Sequence, residues 1–294
     1  MTSEEIDPGT RCALDAAVAA AETGIARAGI PAPRALFLLG TGGGLLPLRL
    51  RHGSRTSWSA LDGVPEAWRR ATLHAGELAG APVWILEDAP GPPERGALPD
   101  AGEPPWVRGF PCWLAAALGA AVLVHSSAGA SLAAEVRPGC LALLSDHLNL
   151  SGRTPLLGLA ASHLGPLFPD VSHLHHVELR RKALAICETL GIPACEAVAA
   201  CTSGPALETP AERRFFARAG AAVAVQGLEG PLLAAAHAGL AAFAVVCVTD
   251  RGEGPVDLAS IVAAAEAMAP GLEELLVRLA PEIARAADGL EVEA

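Results

Sequence analysis

Short, uniformly apolar runs alternate with helix-like segments along this chain, and this alternation limits the fold more than any other sequence feature. Runs without polar alternation are typical of strands that are covered on both faces. Strands separated by helices predict an α/β fold whose sheet is largely parallel. The predicted strands are residues 35–39, 82–86, 121–124, 140–144, 197–201, 222–226 and 242–249. The predicted helices are residues 106–118, 176–190, 210–219, 231–237, 258–268 and 272–287.

Composition and charge exclude several classes of protein. Of the 294 residues, 51% are hydrophobic and 18% are charged, so a largely disordered chain is excluded. The 21 basic and 32 acidic residues give a net charge of −11, which disfavours nucleic acids and anionic membranes as partners. The apolar stretch 231–248 is interrupted by His237 and Gly239, so we predict a buried helix, a turn and a buried strand rather than a membrane span.

Cysteine usage and the first residues indicate the compartment. The seven cysteines are scattered and contain no CxxC pair, so we predict buried free thiols rather than disulfides. Residues 1–8 are acidic and polar, which is unlike a signal peptide. Together these features predict a cytoplasmic protein.

Small, polar and charged residues follow several of the predicted strands, where ligands bind in open α/β sheets. The first such segment is glycine-rich and could present backbone N–H groups and the Thr41 hydroxyl to an oxyanion, or could serve only as a turn. It matches neither the dinucleotide fingerprint nor the P-loop. The segments are GTGGG at 40–44, HSSAG at 125–129, SGPALET at 203–209 and TD at 249–250.

Seven segments, in their order along the chain, resemble those of one enzyme family. They are GTG at 40–42, LHAG at 73–76, SSAGA at 126–130, DHLNLSG at 146–152, FP at 168–169, GPALET at 204–209 and TD at 249–250. In this respect the chain resembles the trimeric purine nucleoside phosphorylases, which include methylthioadenosine phosphorylase. The resemblance spans about residues 35–285, and DHLNLSG and GPALET are its most specific parts.

The resemblance implies a fold and an assembly. The fold would be a single α/β domain over residues 1–294, with its core at about 35–285 and a twisted, mixed β-sheet surrounded by helices. The assembly would be a homotrimer with active sites at the subunit interfaces. The reaction would be reversible phosphorolysis, in which phosphate attacks the anomeric carbon of a purine nucleoside and releases the base and a pentose 1-phosphate. Inorganic phosphate would be the co-substrate, and neither a cofactor nor a metal is expected.

Residues that match the family's motifs take their expected roles from the resemblance. Glu208 would accept hydrogen bonds from the N1 edge of the base, and Leu207 would lie beside the purine. Gln226, followed by Gly227, would lie under the ribose. Asp250 would contact the purine near N7, where a donor stabilises the negative charge of the leaving base.

Phosphate binding would fall to a separate group of residues. The expected phosphate ligands are Thr41, His74, Ser126 and Ser127. His74 is also assigned to the catalytic set, together with Glu208 and Asp250.

The aspartate at position 250 bears on the choice of substrate. An Asp can accept a hydrogen bond from a 6-amino group and, when protonated, can donate to N7, whereas an Asn suits 6-oxopurines. Asp250 therefore favours 6-aminopurine nucleosides. The alternative is that a strand-end Asp only caps the turn that follows it.

One segment departs from the family. Its phosphate and ribose loop, RxHxYEG, is replaced by EDAPGPPERG at 87–96, and the protein contains no tyrosine. Residues 89–105 are rich in Pro, Gly and acidic residues, which predicts a flexible loop. Two other functions therefore stay open. The protein could be a noncatalytic purine-binding or structural homologue, or a nucleoside hydrolase in which water replaces phosphate.

A group of histidines between residues 163 and 176 is considered as a metal site. The spacing of His163, Asp170, His173, His175 and His176 fits no standard zinc site. We therefore expect surface or interface histidines and no metal site.

Overall fold

The structure is a computed structural model that describes residues 12–40, 43–87, 103–252 and 257–293, with only the backbone described for Glu87 and for 291–293. Its strands are β1 (Ala35–Leu39), β2 (Arg51–Ser57), β3 (Thr72–Leu78), β4 (Ala81–Glu87), β5 (Val122–Ser131), β6 (Leu141–Asn149), β7 (Ala194–Thr202), β8 (Val223–Gln226) and β9 (Ala241–Asp250). Its α-helices are α1 (Ala13–Arg27), α2 (Phe110–Ala117), α3 (Val177–Leu190), α4 (Pro210–Arg218), α5 (Glu229–His237) and α6 (Leu258–Glu293). Short 3-10 helices cover Leu46–Arg49, Trp58–Ala60, Glu66–Trp68 and Pro105–Gly109.

The sheet divides at β5. Residues 122–126 of β5 pair in parallel with β1, and its last residues pair antiparallel with β8. Along most of its length β5 also pairs with β9. The strands β5, β8, β7, β6 and β9 therefore close into a ring, and β1, β4, β3 and β2 extend from it as an open sheet.

Parallel and antiparallel pairs are mixed in this sheet. The pairs β1–β4, β1–β5, β5–β9, β6–β7 and β7–β8 are parallel, and the pairs β2–β3, β3–β4, β5–β8 and β6–β9 are antiparallel. The α/β class and the mixed sheet with helices around it are confirmed. The largely parallel sheet expected from the apolar runs alone is wrong, because antiparallel strands covered on both faces are just as apolar.

Helices cover both faces of the sheet. In β1, Leu36 and Leu38 join one buried cluster while Phe37 and Leu39 join the other, so this strand is buried on both sides. The first cluster includes residues of α1, α2 and α5, and the second includes residues of α3 and α6. This double cover explains why β1 carries no polar alternation.

The helix ends follow from local sequence. At the start of α4, the Thr209 hydroxyl accepts from the Glu212 N–H and the Glu212 side chain accepts from the Thr209 N–H, a capping box with Pro210 at the first helical position. The α3 helix ends at Gly191, which adopts a left-handed conformation with φ of 67°.

Some predicted helix boundaries are wrong. The two C-terminal helices are one continuous helix, α6, which contains Pro270 and Pro281. Buried leucines of α6, among them Leu272 and Leu276, hold it against the sheet, and this packing outweighs the backbone bonds that proline removes. The helix predicted at 106–118 begins as the 3-10 turn Pro105–Gly109 before α2, and the helix predicted at 231–237 already begins at Glu229.

Other sequence expectations have different outcomes. All seven cysteines are free, as predicted. Among the described helices, none is long and apolar enough to cross a bilayer. The flexible loop predicted at 89–105 lies almost wholly outside the described residues, and Pro105 begins a 3-10 turn.

The buried His175 corrects the surface assignment of the histidine group. His175 is 6% exposed within this single chain, whereas His163 and His173 are exposed. The sequence pattern could not reveal this, because residues from other strands bury His175.

Candidate active site

The Glu208 carboxylate is fixed by contacts from two elements. Its side chain is only 6% exposed. The Thr202 hydroxyl, at the end of β7, donates to Oε1 of Glu208 at 2.9 Å, and Nη1 of Arg213 lies 3.8 Å from Oε2. Because the capped helix α4 begins directly after Glu208, the backbone there is also held in place. The carboxylate is therefore an oriented hydrogen-bond acceptor.

Arg213 joins the turns that carry both candidate carboxylates. Its Nη2 donates to the carbonyl oxygen of Ser131 at 2.7 Å and to that of Arg251 at 2.8 Å. These carbonyls belong to the end of β5 and to the residue after β9. A side chain at Gly252 would collide with the guanidinium of Arg213. Glu208 and the turn after Asp250 therefore lie around one guanidinium.

Sequence reasoning missed Arg213. It lies three residues before Phe216, which is the buried residue of α4, and so on the same face of the helix. The next residue, Arg214, is exposed. Helical periodicity therefore indicates that Arg213, unlike Arg214, lies on the buried face of α4. It does not reveal the partners of Arg213 on β5 and after β9, because these are distant in sequence.

Asp250 ends β9 and caps the turn that follows. Its Oδ1 accepts from the N–H of Gly252 at 2.7 Å, and its Oδ2 accepts from the Thr249 hydroxyl at 3.0 Å. Asp250 therefore caps this turn, which is the alternative role that the sequence left open. Each carboxylate oxygen has a second lone pair, so the cap leaves capacity to accept from a ligand. Contact with a base stays a prediction.

Gln226 packs against the GPALET segment. Its Nε2 donates to the carbonyl oxygen of Ala206 at 3.0 Å, and a side chain at Gly204 would collide with its amide. Gln226 also pairs in register with Thr202, the residue that holds Glu208. Leu207 is half exposed, at 50%.

A cavity of about 350 Å³ lies beside Gln226 and Gly227. This volume is within the range of small-molecule sites, about 300–1,000 Å³. Ser203 and Pro205 form part of its wall, so the cavity adjoins the GPALET segment. Its described walls do not include Glu208, Asp250 or His74. The charged residues that line it are Glu103, Arg108, Arg153 and Glu229.

Glu229 and Arg108 set the electrostatics of this cavity. Glu229 is 6% exposed, and this burial raises the pKa of its carboxyl above the usual 4.5. The nearby charge of Arg108 acts in the opposite direction and is the smaller effect. Arg108 also donates from Nη2 to the carbonyl oxygen of Gly227 at 3.3 Å, which ties the cavity wall to the end of β8. Neither residue was singled out from the sequence.

The expected phosphate ligands Ser126 and Ser127 lie within β5 rather than after it, which corrects the strand end predicted at 124. The N–H of Gly40 donates to the carbonyl oxygen of Ser126 at 2.9 Å and approaches its hydroxyl at 3.2 Å. A Cβ at Gly40 would lie 2.7 Å from that carbonyl oxygen, so only glycine fits this approach. Thr41 lies outside the described residues.

His74 lies further along the sheet than Ser126. It is on β3, and β4 and β1 separate β3 from β5. The register runs from His74 through Ile85 and Phe37 to Val124. With strands about 4.8 Å apart, the backbones of β3 and β5 are about 14 Å apart. The assignment of His74 to phosphate stays a prediction.

Comparison with known proteins identifies the family. A family model described as "Phosphorylase superfamily" matches residues 34–281, and the chain belongs to this superfamily. It is 28% identical over 235 residues to "Purine nucleoside phosphorylase 1" of Geobacillus stearothermophilus, covering 76% of this chain and 81% of that protein. It is 26% identical over 263 residues to "Purine nucleoside phosphorylase" of Bos taurus, covering 85% of this chain and 89% of that protein.

Solved structures share the fold. A schistosoma purine nucleoside phosphorylase in complex with hypoxanthine has a TM-score of 0.82 at 22% identity, covering 92% of this chain and 98% of that chain. The Schistosoma mansoni enzyme in complex with adenosine has a TM-score of 0.79 at 22% identity, covering 89% and 95%. The resemblance drawn from the sequence motifs is confirmed.

Proposed function

We propose that this protein is an enzyme that cleaves the N-glycosidic bond of a purine nucleoside with phosphate, releasing the base and a pentose 1-phosphate. One observation carries the proposal. Glu208 and the turn of Asp250, which the family resemblance assigns to the base, are gathered around the guanidinium of Arg213. The relatives named purine nucleoside phosphorylases support the same reaction.

The chemistry assigns a role to each carboxylate. As the glycosidic bond breaks, positive charge develops on the sugar and negative charge on the base. Glu208, held by Thr202 and Arg213, accepts from the N1 edge and orients the purine. Asp250 is proposed to contact the base near N7. In its protonated form it would donate its own proton to N7, which stabilises the departing base.

The contacts of Asp250 favour a 6-aminopurine. Both of its oxygens already accept hydrogen bonds, from Gly252 and Thr249, so its remaining capacity in the ionised form is for a donor on the ligand. An exocyclic amine supplies that donor, whereas a 6-oxo group would face two acceptor oxygens. We therefore expect adenosine-type substrates to be preferred over inosine-type substrates.

The sugar and phosphate are assigned to the neighbouring surfaces. Gln226 and Gly227 line the cavity beside the GPALET segment and are proposed to contact the pentose. Phosphate is proposed to bind at the junction of β1 and β5, where Ser126 and Ser127 lie, with Thr41 and His74 as further ligands. Inorganic phosphate is the co-substrate, and no cofactor enters this reaction.

We also propose a cytoplasmic homotrimer with the sites at subunit interfaces. Apolar side chains that are 43% to 88% exposed cluster in the segment after β6, and one of them, Leu157, lines the cavity. They are Leu157, Leu167, Phe168 and Val171. Light scattering is expected to give about three times the 29.8 kDa chain mass at micromolar concentration, and a clean monomer would contradict the trimer.

The proposed reaction is tested by product analysis. The full chain is incubated with adenosine, inosine and methylthioadenosine, with and without phosphate, and free base and pentose 1-phosphate are quantified. Base release that requires phosphate and yields pentose 1-phosphate is expected. Base release without phosphate would assign a hydrolase instead, and purine binding without release would assign a noncatalytic homologue.

A further inference from the structure

Three side chains that could bind a metal ion meet at β6, apart from the candidate active site. They are Asp146, His147 and His175, and one ligand atom from each lies within 4.8 Å of the other two. Nδ1 of His147 and Nε2 of His175 are 3.1 Å apart. The two histidines are 28 residues apart in sequence, so the tertiary fold brings them together.

Asp146 and His147 are consecutive residues of β6, directly after an irregularity in that strand. The register of β6 on β7 shifts between Leu144 and Asp146. In a regular strand, neighbouring side chains point to opposite faces, so the Asp146 carboxylate turns back along the backbone to reach His147. The N–H of His147 also donates to Oδ1 of Asp146 at 2.7 Å, which holds the carboxylate beside the imidazole.

His175 is held in place by β9. It forms an isolated parallel bridge with Ala242, and the N–H of His176 donates to the carbonyl oxygen of Ala242 at 2.8 Å. His175 is 6% exposed, and its backbone carbonyl accepts from Arg180 at 3.5 Å. The imidazole is therefore presented to β6 by a fixed backbone.

We propose that Asp146, His147 and His175 form a binding site for a divalent first-row transition metal ion. With metal–nitrogen bonds of about 2.1 Å, nitrogens 3.1 Å apart subtend about 95° at the metal, a cis arrangement. Two imidazoles with one carboxylate suit Zn²⁺, Co²⁺ or Ni²⁺ better than Mg²⁺ or Ca²⁺. Asp146 is exposed, so the remaining coordination positions are open to water.

The facing nitrogens of His147 and His175 share one proton, which a metal ion can replace. Only one proton fits between the two facing nitrogens, so one imidazole donates and the other accepts. Among the described residues, Nδ1 of His175 is buried and has no hydrogen-bond partner. With a metal on Nε2, Nδ1 carries the proton, and the proton between the rings is replaced by the metal.

Cobalt titration tests the site. The full chain is titrated with Co²⁺ while visible d–d absorption is followed, and one equivalent is expected to bind per chain with nitrogen and oxygen ligands. Asp146→Asn removes the ionised ligand at an exposed position and so leaves the fold intact. Asp146→Asn and His147→Ala are each expected to weaken binding at least about tenfold. The matched control is His173→Ala, an exposed histidine two residues from His175, which is expected to bind as the wild type does.

Three results would overturn the proposal. The first is no saturable cobalt binding, and the second is equal binding by the wild type, Asp146→Asn and His147→Ala. The third is intense sulfur-to-cobalt charge-transfer absorption, which would assign the ion to cysteines instead. Base release is not used in this test, so its result is independent of the proposed phosphorolysis.

Discussion

The turns around Glu208 and Asp250 differ in construction from the strands that carry Ser126 and His74. Side-chain hydrogen bonds hold both carboxylates in motifs that resemble the family, and Arg213 joins the turns that carry them. On the phosphate side, Ser126 is bound to the Gly40 backbone, and His74 is three strands away from β5. The loop that should complete that side has lost its family motif. Among the described residues, the proposed base site is therefore more completely built than the proposed phosphate site.

The largest expected effect is at Glu208. Replacing Glu208 with Ala leaves the donors on the base and on Thr202 without their acceptor, which costs about 1–3 kcal/mol of purine binding. The KM for nucleoside is expected to rise about 5- to 150-fold, with little change in the KM for phosphate. Steady-state kinetics with each substrate varied separately measures this. Glu266→Ala, at an exposed position of α6, is the control. If Glu208→Ala raised the KM for phosphate as much as the KM for nucleoside, the distinction between the base side and the phosphate side would be wrong.

Arg213 is expected to act through position rather than contact with substrate. Arg213→Met leaves the carbonyls of Ser131 and Arg251 without their donor, and we expect a loss of about 1–3 kcal/mol in the free energy of unfolding. Nucleoside KM should also rise, because Glu208 loses its neighbouring cation. Arg214→Met is the matched control on the exposed face of α4 and should change stability by less than about 0.5 kcal/mol. Urea unfolding of both variants measures the difference.

The phosphate side is probed at Gly40. A Cβ there would press against the carbonyl oxygen of Ser126 at 2.7 Å, so Gly40→Ala must displace β1 from β5. We expect the KM for phosphate to rise about tenfold while the affinity for free base stays within about twofold. Gly44→Ala is the control because a Cβ there meets open space. An unchanged phosphate KM in Gly40→Ala would place phosphate elsewhere.

The smallest expected effect is the pH dependence set by Glu229. Burial raises its pKa in the folded protein, so the folded state binds more protons than the unfolded state above pH 4.5. Wild-type stability should therefore fall, relative to Glu229→Gln, as pH rises from 4.5 through the raised pKa, and the difference should then level off. Urea unfolding of both proteins across about pH 4 to 8 measures this. A difference that does not vary with pH would contradict the burial effect.

The sequence predicted elements that are defined by local pattern. The strands β1 and β5 were recognisable because helices cover both of their faces, and Glu208 and Asp250 were recognisable because each lies in a motif. The strand β2, with the sequence RHGSRTS, was missed because it is exposed and is held by pairing with β3. The helix α1 was also missed.

Contacts between distant segments could not be predicted in this way. Arg213 meets a carbonyl 82 residues earlier in the chain, at Ser131, and no spacing rule encodes that distance. His147 meets His175, 28 residues later in the chain, and His175 is itself held by a bridge to Ala242 of β9. Local pattern therefore indicates where most of the strands lie, whereas the closed ring of strands determines which residues come into contact.

The central claim is that Asp250 selects the base in the proposed purine site, and titration calorimetry tests it most directly. Wild type and Asp250→Asn are each titrated with adenine and hypoxanthine. The wild type is expected to bind adenine more tightly, and Asp250→Asn is expected to shift the preference toward hypoxanthine, because an amide donates to O6 where a carboxylate repels it. Binding of neither base by the wild type, or an unchanged preference in Asp250→Asn, would contradict the account.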